Sequence, residues 1–569
     1  MAEQQAYTVA SDSETIGDEK PSSLFPEIAI GIDIGTSHCR AAIWHDSRVV
    51  LLRNSRGQTS LRSCVAFRDI GPPTIGHPSG GGEPQVLSGS TIFNIKRLVG
   101  RSDLDPTLAR AAETLPFLVQ TLNIGVRPFI AALVQNAWRS TTPEEALAVL
   151  LVEIRALAEA HLRQPVRKAV LTVPVSFSRF QTTRVERACA MAGLHVLRLM
   201  PEPTAVALLY AQQQNTNENI GNEKIAVIVN VGAGFCDVAV SATAGGVSQI
   251  KALSGVALGG EDLLANTIRH LAPGPEGKFG LRGPEEIKRM GLLRVAVQEA
   301  IHGLSTRLEV GVDVDLKNGR KICRVLSRRE FEEVNREIFD ECENLIVTCL
   351  RDAKIDAKDL NDVILVGGCS EIPKIQEIVK GVCGREIYLG IDRFEGAVCG
   401  AALEGAVASG VNDPFGSLDL LTIQATPLGI GIRAHGNTFV PIIHPNTTVP
   451  VKRDVIFTTV HDNQTEALVV VYEGNEKAVE KNNLLGFFKI TGIPSAPKGV
   501  PEIAICLDID ASSELRVFVG VVMPGGQGPV GPVMEVRMPT VDDGHGWCAS
   551  ALDKAYGSSL DLATVEKSR

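Results

Sequence analysis

The sequence predicts an α/β protein whose first part is built from two similar lobes, followed by a separate antiparallel β domain. Three observations carry this prediction. Apolar strands alternate with amphipathic helices over residues 27–410, the pattern of an α/β core. A strand–turn–strand unit occurs twice, as IAIGIDIGTSHCRAAI from Ile28 and as IAVIVNVGAGFCDVAV from Ile225, which implies two like lobes facing each other across a cleft. Beyond Gly410 the long helices stop and short alternating segments separated by Gly, Pro and Asn turns take over.

Residues 1–26 are polar, acidic and rich in Ser and Glu, and are expected to be a disordered tail. Ile28 opens the first strand–turn–strand unit. A long helix is predicted from Pro143, with Thr142 as its cap, proline in the first turn, and Glu144 and Glu145 complementing the helix dipole. Its apolar face, Leu147, Leu150, Leu151, Ile154, Leu157 and Ala158, has helical spacing. KAVLTVP at Lys168 reads as the next strand, followed by a helix ending near Gly193. Residues 411–424 read as an apolar linker. Residues 425–523 hold the strand patterns VIFTTVHD, EALVVVYEG, EIAICLDID and ELRVFVGVV. Residues 524–569, Gly/Pro-rich and then polar, are expected to have little structure.

Composition excludes several function classes. The 569 residues are 44% hydrophobic and 21% charged, an ordinary globular balance. A net charge of −10 gives no electrostatic reason to expect nucleic acid or an anionic membrane as partner. No membrane-length apolar run is evident, and the N-terminal stretch lacks the basic and apolar regions of a secretory signal. The 12 cysteines are scattered, without a CxxC pair, so zinc is not expected. Such thiols suit a reducing compartment, and the expected location is the cytoplasm, with the nucleus as a second site.

Four glycine turns carry the chemistry. A Gly-rich turn between strands points several backbone N–H groups at one place, which suits a phosphate. GIDIGTSH supplies Gly31, Gly35, Thr36 and Ser37, with Asp33 placed to hold Mg²⁺ through water. VGAGF supplies Gly232 and Gly234, LGGED supplies Gly259 and Gly260, and LVGGCSEIPKIQ supplies Gly367 and Gly368. Any one of these is a weak signal; four in this order are not explained by ordinary turn chemistry. Cys369, inside the last turn, reads as a packed thiol.

These segments, with NIKRLVGR, KAVLTVP, AGLHVLRLMPEPTAVALLY, GAALEGA and, in the β half, DLLTIQATPLGIGI, NTTVPVK, DNQT and NNLLGFFKITGIPSAPKGVP, resemble the heat-shock protein 70 (DnaK-type) chaperones from about Ile28 to Val522. Sugar kinases and actins share the phosphate turns but not the β half. The resemblance implies a two-lobed actin-like (ribonuclease-H-like) ATPase domain, a β-sandwich peptide-binding domain, and no helical lid after it. It implies ATP or ADP with Mg²⁺ as cofactor and unfolded or hydrophobic peptide segments as partners, with J-domain co-chaperones and nucleotide exchange factors behind them. By position, Asp33, Gly35, Thr36 and Ser37 match the first phosphate loop. Lys96 matches the lysine that orients attacking water, Glu202 the glutamate near metal and water, and Asp237 an acidic residue of the metal site. Gly232, Gly234, Gly259, Gly260, Gly367, Gly368 and Ser305 match the nucleotide cleft. Pro174 matches a hinge proline, and Arg198 an arginine that engages J-domain partners.

Departures from the family pattern cluster in the ATPase half. Asn230 stands where the resemblance calls for a second catalytic aspartate, and Phe235 where it calls for a phosphate-loop threonine. Loss of one preorganised electrostatic group costs about 10²- to 10³-fold in rate. At the adenosine pocket Gln298, Ile301 and His302 stand where the resemblance calls for Glu, Lys and Arg, while Ser305 is retained; Glu371 takes the place of the adenine-stacking arginine and Phe394 that of an aspartate. Three lost contacts of roughly 1 kcal/mol each would lower affinity about a hundredfold. In the β half, Phe439 and Val460 are expected to arch over a bound peptide, and Ala467 to form the floor of its apolar pocket. The sequence thus predicts a chaperone whose peptide binding is regulated by weakly bound ATP. The rival readings are a pseudo-ATPase holdase or chaperone regulator, and a small-molecule kinase, which the β half disfavours.

Overall fold

In the computed structural model the described residues are 28–75, 90–101, 105, 108, 115–120, 129–134, 137–215, 222–272, 284–316, 321–522, 534–537 and 558–565. The expected N-terminal tail lies outside them.

The sequence repeat is a structural repeat. In the first lobe the strand Ala29–Ile34 pairs antiparallel with His38–His45 on one side and parallel with Lys168–Val173 on the other. In the second lobe Lys224–Val231 pairs antiparallel with Cys236–Ala244 and parallel with Asp362–Val366. Each central strand is buried on both faces, as parallel pairing with helical cover requires. Each lobe has its own apolar core, centred on Ile30, Ile32 and Leu171 in the first and on Val227, Val229 and Leu365 in the second. This is an α/β architecture of the actin-like kind with a β domain appended.

Local signals set the helix that flanks the first lobe. It runs Pro143–Leu162, and Thr142 and Glu145 close a reciprocal capping box over its first turn. Such a cap is worth about 1 kcal/mol. The strand at Lys168–Val173 and the following helix, Arg179–Met191, fall where the sequence placed them.

The β domain is a sandwich. One sheet has the order Thr438–Ile443, Ile430–Ala434, Glu466–Glu473, Asn483–Thr491; the other has Met534–Arg537, Leu515–Val522, Glu502–Ile509, Val451–Thr459, Leu562–Thr564. Alternation sorts each strand's residues. Ala467, Val469 and Val471 face the inner core with Ile503, Ile505 and Leu507, whereas Leu468, Val470 and Tyr472 form an outer cluster with Phe439.

Two expectations change here. The linker is not a plain connector: its Leu421–Ile423 adds a parallel strand beside Val247–Gln249 of the second lobe. Residues 524–569 are not uniformly without structure, because Met534–Arg537 pairs with Leu515–Val522 and Leu562–Thr564 pairs with Val451–Thr459. Both inserted strands are three or four residues long, too short for alternation to reveal them.

The sandwich docks on the first lobe through Arg179. Its backbone N–H donates to Glu473 Oε2 at 2.7 Å, and its guanidinium donates to the Ser513 carbonyl at 2.6 Å. Asn446 Oδ1 accepts from the Leu253 amide of the second lobe at 2.7 Å. Among the described residues no helix is long and apolar enough to cross a membrane.

Candidate functional site

A cavity of about 510 Å³ lies between the lobes. Three of the four glycine turns open onto it directly, through Gly35, Thr36 and Ser37, through Gly232 and Gly234, and through Gly367 and Gly368. The two repeated turns touch: a Cβ on Gly234 would lie 2.5 Å from Thr36 Oγ1. Gly367 has φ +91°, which an L side chain rarely adopts, and a Cβ there would lie 2.4 Å from the Val231 carbonyl oxygen.

The fourth turn works differently. Gly260 lines the cavity and Gly259 does not. The Gly260 and Glu261 amides donate to the carbonyls of Gly232 and Ala233 at 3.1 and 2.7 Å. This turn therefore buttresses the second phosphate turn, its amides already engaged within the protein.

Beneath the turns Lys96 donates to Glu202 Oε1, and the Asn230 amide donates to Glu202 Oε2. Asp33 accepts from Thr172 Oγ1 at 2.6 Å. Burial alone would depress the Lys96 ammonium, but Glu202 and Asp33 outweigh it and raise its pKa. Burial, then the charge of Glu202, pushes the Asp33 carboxyl up, against the opposing pull of Lys96. Phe235 packs edge-on to Phe177 with ring centroids 5.6 Å apart, and Lys96 Nζ sits 5.7 Å from its ring centroid. The ring thus forms an apolar wall for the lysine.

Asp237 lies in register with Asn230, wholly buried, and does not line the cavity. Neither of its carboxylate oxygens finds a hydrogen-bond partner, and burial pushes its pKa well up. Among the described residues no three His, Cys, Asp or Glu side chains converge as a ready ligand set. That fits Mg²⁺ all the same, since the ion keeps most of its waters and takes one or two carboxylates alongside nucleotide phosphates. Asp33 lines the cavity and is the group that would hold it; Asp237, expected as the second, lies buried behind the cavity wall.

The outer cavity is lined by Gln298, Ile301, His302, Ser305, Glu371 and Phe394 together, as the sequence grouped them. Two arginines not singled out in the sequence also stand there. Arg40 lies 5.7 Å from the Phe394 ring centroid, and Arg393 sits 3.7 Å from Glu371.

Pro174 and Arg198 line a second crevice, of about 550 Å³, between the first lobe, the linker and the sandwich. Arg198 is half-buried and ion-paired with Glu404. With its amide oxygen turned inward, Gln424 of the linker accepts from Arg198 Nε at 3.1 Å.

In the sandwich, Ala467 is buried in the inner core, and Val460 begins a loop tied back by Gln464 Oε1 at 3.0 Å. Phe439 is the residue expected to arch over a bound peptide. It sits on the outer face, opposite Ala467, because the alternation of its strand turns it away from the inner core.

A family model for Hsp70 protein matches residues 29–519, nearly the whole of both halves. The chain belongs to the Hsp70 family. It is 62% identical over 574 aligned positions to Heat shock 70 kDa protein 8 of Arabidopsis thaliana, covering 100% of each chain. It is 33% identical to Heat shock 70 kDa protein 2 of Paracoccidioides lutzii, over 86% of this chain and 74% of the relative. A heat shock 70 kDa protein of Emericella nidulans is likewise 33% identical, over 86% and 75%. As an Hsp70 it is a chaperone for unfolded, apolar peptide segments, and members of the family bind ATP or ADP with Mg²⁺. In this Hsp70 the glycine cradle and Lys96–Glu202 pair coexist with an amide at Asn230. One lysine, one amide and one carboxylate therefore share a single hydrogen-bonded cluster.

Proposed function

We propose that this Hsp70 holds nucleotide weakly, mainly by its phosphates, and hydrolyses it slowly while still using it to bias peptide binding. The observation that supports this reading is the Asn230 amide donating to Glu202. A carboxylate that accepts from both Lys96 and an amide has part of its acceptor capacity taken up, so its capacity to polarise a water is reduced. Asn230 also brings no negative charge to the metal. When bound, Mg²⁺ would neutralise charge on the transferred phosphoryl group; Asp33 would position it, with Asp237 behind the cavity wall, and Lys96 would orient the attacking water.

We further propose that the peptide groove has no helical lid. The support for that reading is the sequence beyond 523, Gly/Pro-rich and then polar, with no sustained helical periodicity. Arg198, beside linker residue Gln424, is proposed as the contact for J-domain partners, and exchange factors are proposed to act on the same cleft. The eleven cysteines among the described residues are free thiols, and the proposed location is the cytoplasm.

The test couples two assays on the full chain. Stopped-flow release of a labelled apolar peptide is expected to quicken when Mg·ATP is added. Steady-state hydrolysis is expected to run about 10²-fold below ordinary family members, with little J-domain stimulation. Hydrolysis at the ordinary family rate would sink the proposal.

A further inference from the structure

The strand Leu562–Thr564 is held on both sides. Along one edge it pairs antiparallel with the end of Val451–Thr459, in the register Thr459↔Leu562, Thr458↔Ala563 and Phe457↔Thr564. On the other, the His435 amide donates to the Leu562 carbonyl at 2.7 Å. Leu562 is 0% exposed and belongs to the inner core with Ile432, Phe457 and Ala467. An extended segment bonded through its main chain, with one leucine sunk in an apolar pocket, is how a sheet edge receives a peptide.

The residue before that leucine is read as well. Asp561 is buried, its carboxylate 3.2 Å from Arg433 Nη2 and 3.3 Å from His435 Nδ1. Its carbonyl accepts from Gln464 Nε2 at 3.2 Å, and the other end of that amide accepts from the Val460 and His461 amides. Gln464 thereby fastens the loop at Val460 onto the segment. A fully desolvated arginine demands an anionic partner, and here the chain's own C-terminal segment supplies one.

We propose that residues 560–565 are a resident pseudo-ligand of the peptide groove, and that the groove selects extended clients carrying an acidic residue directly before a buried leucine. This rests on the reading of the sandwich as the peptide-binding half. Clients bind by displacing the segment, which its tether presents at an effective concentration on the order of millimolar. The strand pairs with Val451–Thr459 at three positions, where Glu502–Ile509 on the other side of that strand pairs at eight, so it is the element of that sheet with least to lose.

The test measures anisotropy of a fluorescent SSLDLATVE peptide, the sequence of residues 558–566, against three proteins. The full chain should bind it roughly tenfold or more weakly than a chain ending at Gly557. A full chain carrying Thr458→Cys and Ala563→Cys, at directly paired positions, should lose binding when oxidised and regain it on reduction. An SSLKLATVE peptide should bind the shortened chain roughly tenfold more weakly than SSLDLATVE, since Arg433 then faces a lysine. Equal binding by full and shortened chains, or undiminished binding by the oxidised pair, overturns the proposal while leaving the peptide-binding reading in place. If the shortened chain does not fold, the disulfide pair alone decides. A folded shortened chain that binds neither these peptides nor any other apolar peptide overturns the peptide-binding reading itself.

Discussion

Asn230 shows how a single amide changes a site without changing its shape. It occupies the end of a central strand, buried and hydrogen-bonded to Glu202, and the glycine turns around it keep the geometry of a phosphate cradle. Restoring a carboxylate there places a further negative charge beside Glu202, Asp33 and Asp237, with Lys96 as the one ammonium the cluster contains among the described residues. Asn230→Asp is therefore expected to lower the melting temperature in EDTA and to recover it with millimolar Mg²⁺, whereas the parent chain responds little. Equal Mg²⁺ responses in the two proteins would show that the amide does not govern metal binding. The companion change Phe235→Thr is less clean. It removes a ring packed against Phe177 in the first-lobe core, at a cost of about 3 kcal/mol. The sequence made the aspartate-to-asparagine change legible. It did not show that the amide would occupy Glu202, because hydrogen-bond partners from strands far apart in the chain have no sequence signature.

Elements were legible in proportion to their length and to the strength of their end signals. The helix at Pro143 declared its start through Thr142, Pro143 and Glu145, and the structure begins it there. The strand Leu562–Thr564 declared nothing, being three residues in a polar tail. A clue did exist in GIGIRAH: Arg433 interrupts an apolar strand, and a buried guanidinium needs an anion. Between helices, Glu261 at the start of Gly260–Leu271 meets Arg294 of Pro284–Leu304 at 2.6 Å. Burial pushes the Glu261 carboxyl up, but Arg294 outweighs it and holds the group below its ordinary value of 4.5. The stabilisation is therefore fully present above that value and is lost as pH falls through the lower, folded-state value. Glu261→Gln should cost about 3 kcal/mol in urea melts at pH 7, and the gap to the parent should narrow below the ordinary glutamate value. A gap independent of pH would contradict this account of the pair.

At the scale of the whole molecule, the repeat at Ile28 and Ile225 foretold the two lobes and the cleft. Nothing in the sequence foretold how the sandwich docks. That arrangement depends on Arg179 reaching Glu473 and Ser513, and on the linker joining the second lobe as a strand. Burial pushes Glu473 up, with Arg179 opposing. Removing the guanidinium by Arg179→Ala should weaken docking by about 2 kcal/mol and speed protease cleavage between residues 411 and 424. An unchanged cleavage rate would mean that the contact does not hold the halves together. The proposed function requires a cleft that keeps its phosphate cradle but lacks the groups that recognise the base and supply charge. Calorimetric titration of the full chain with Mg·ATP and with Mg·GTP tests it most directly. The account predicts dissociation constants weaker than about 1 μM that agree within about threefold, which is less than 1 kcal/mol of discrimination. Sub-micromolar binding with a strong preference for ATP would contradict it.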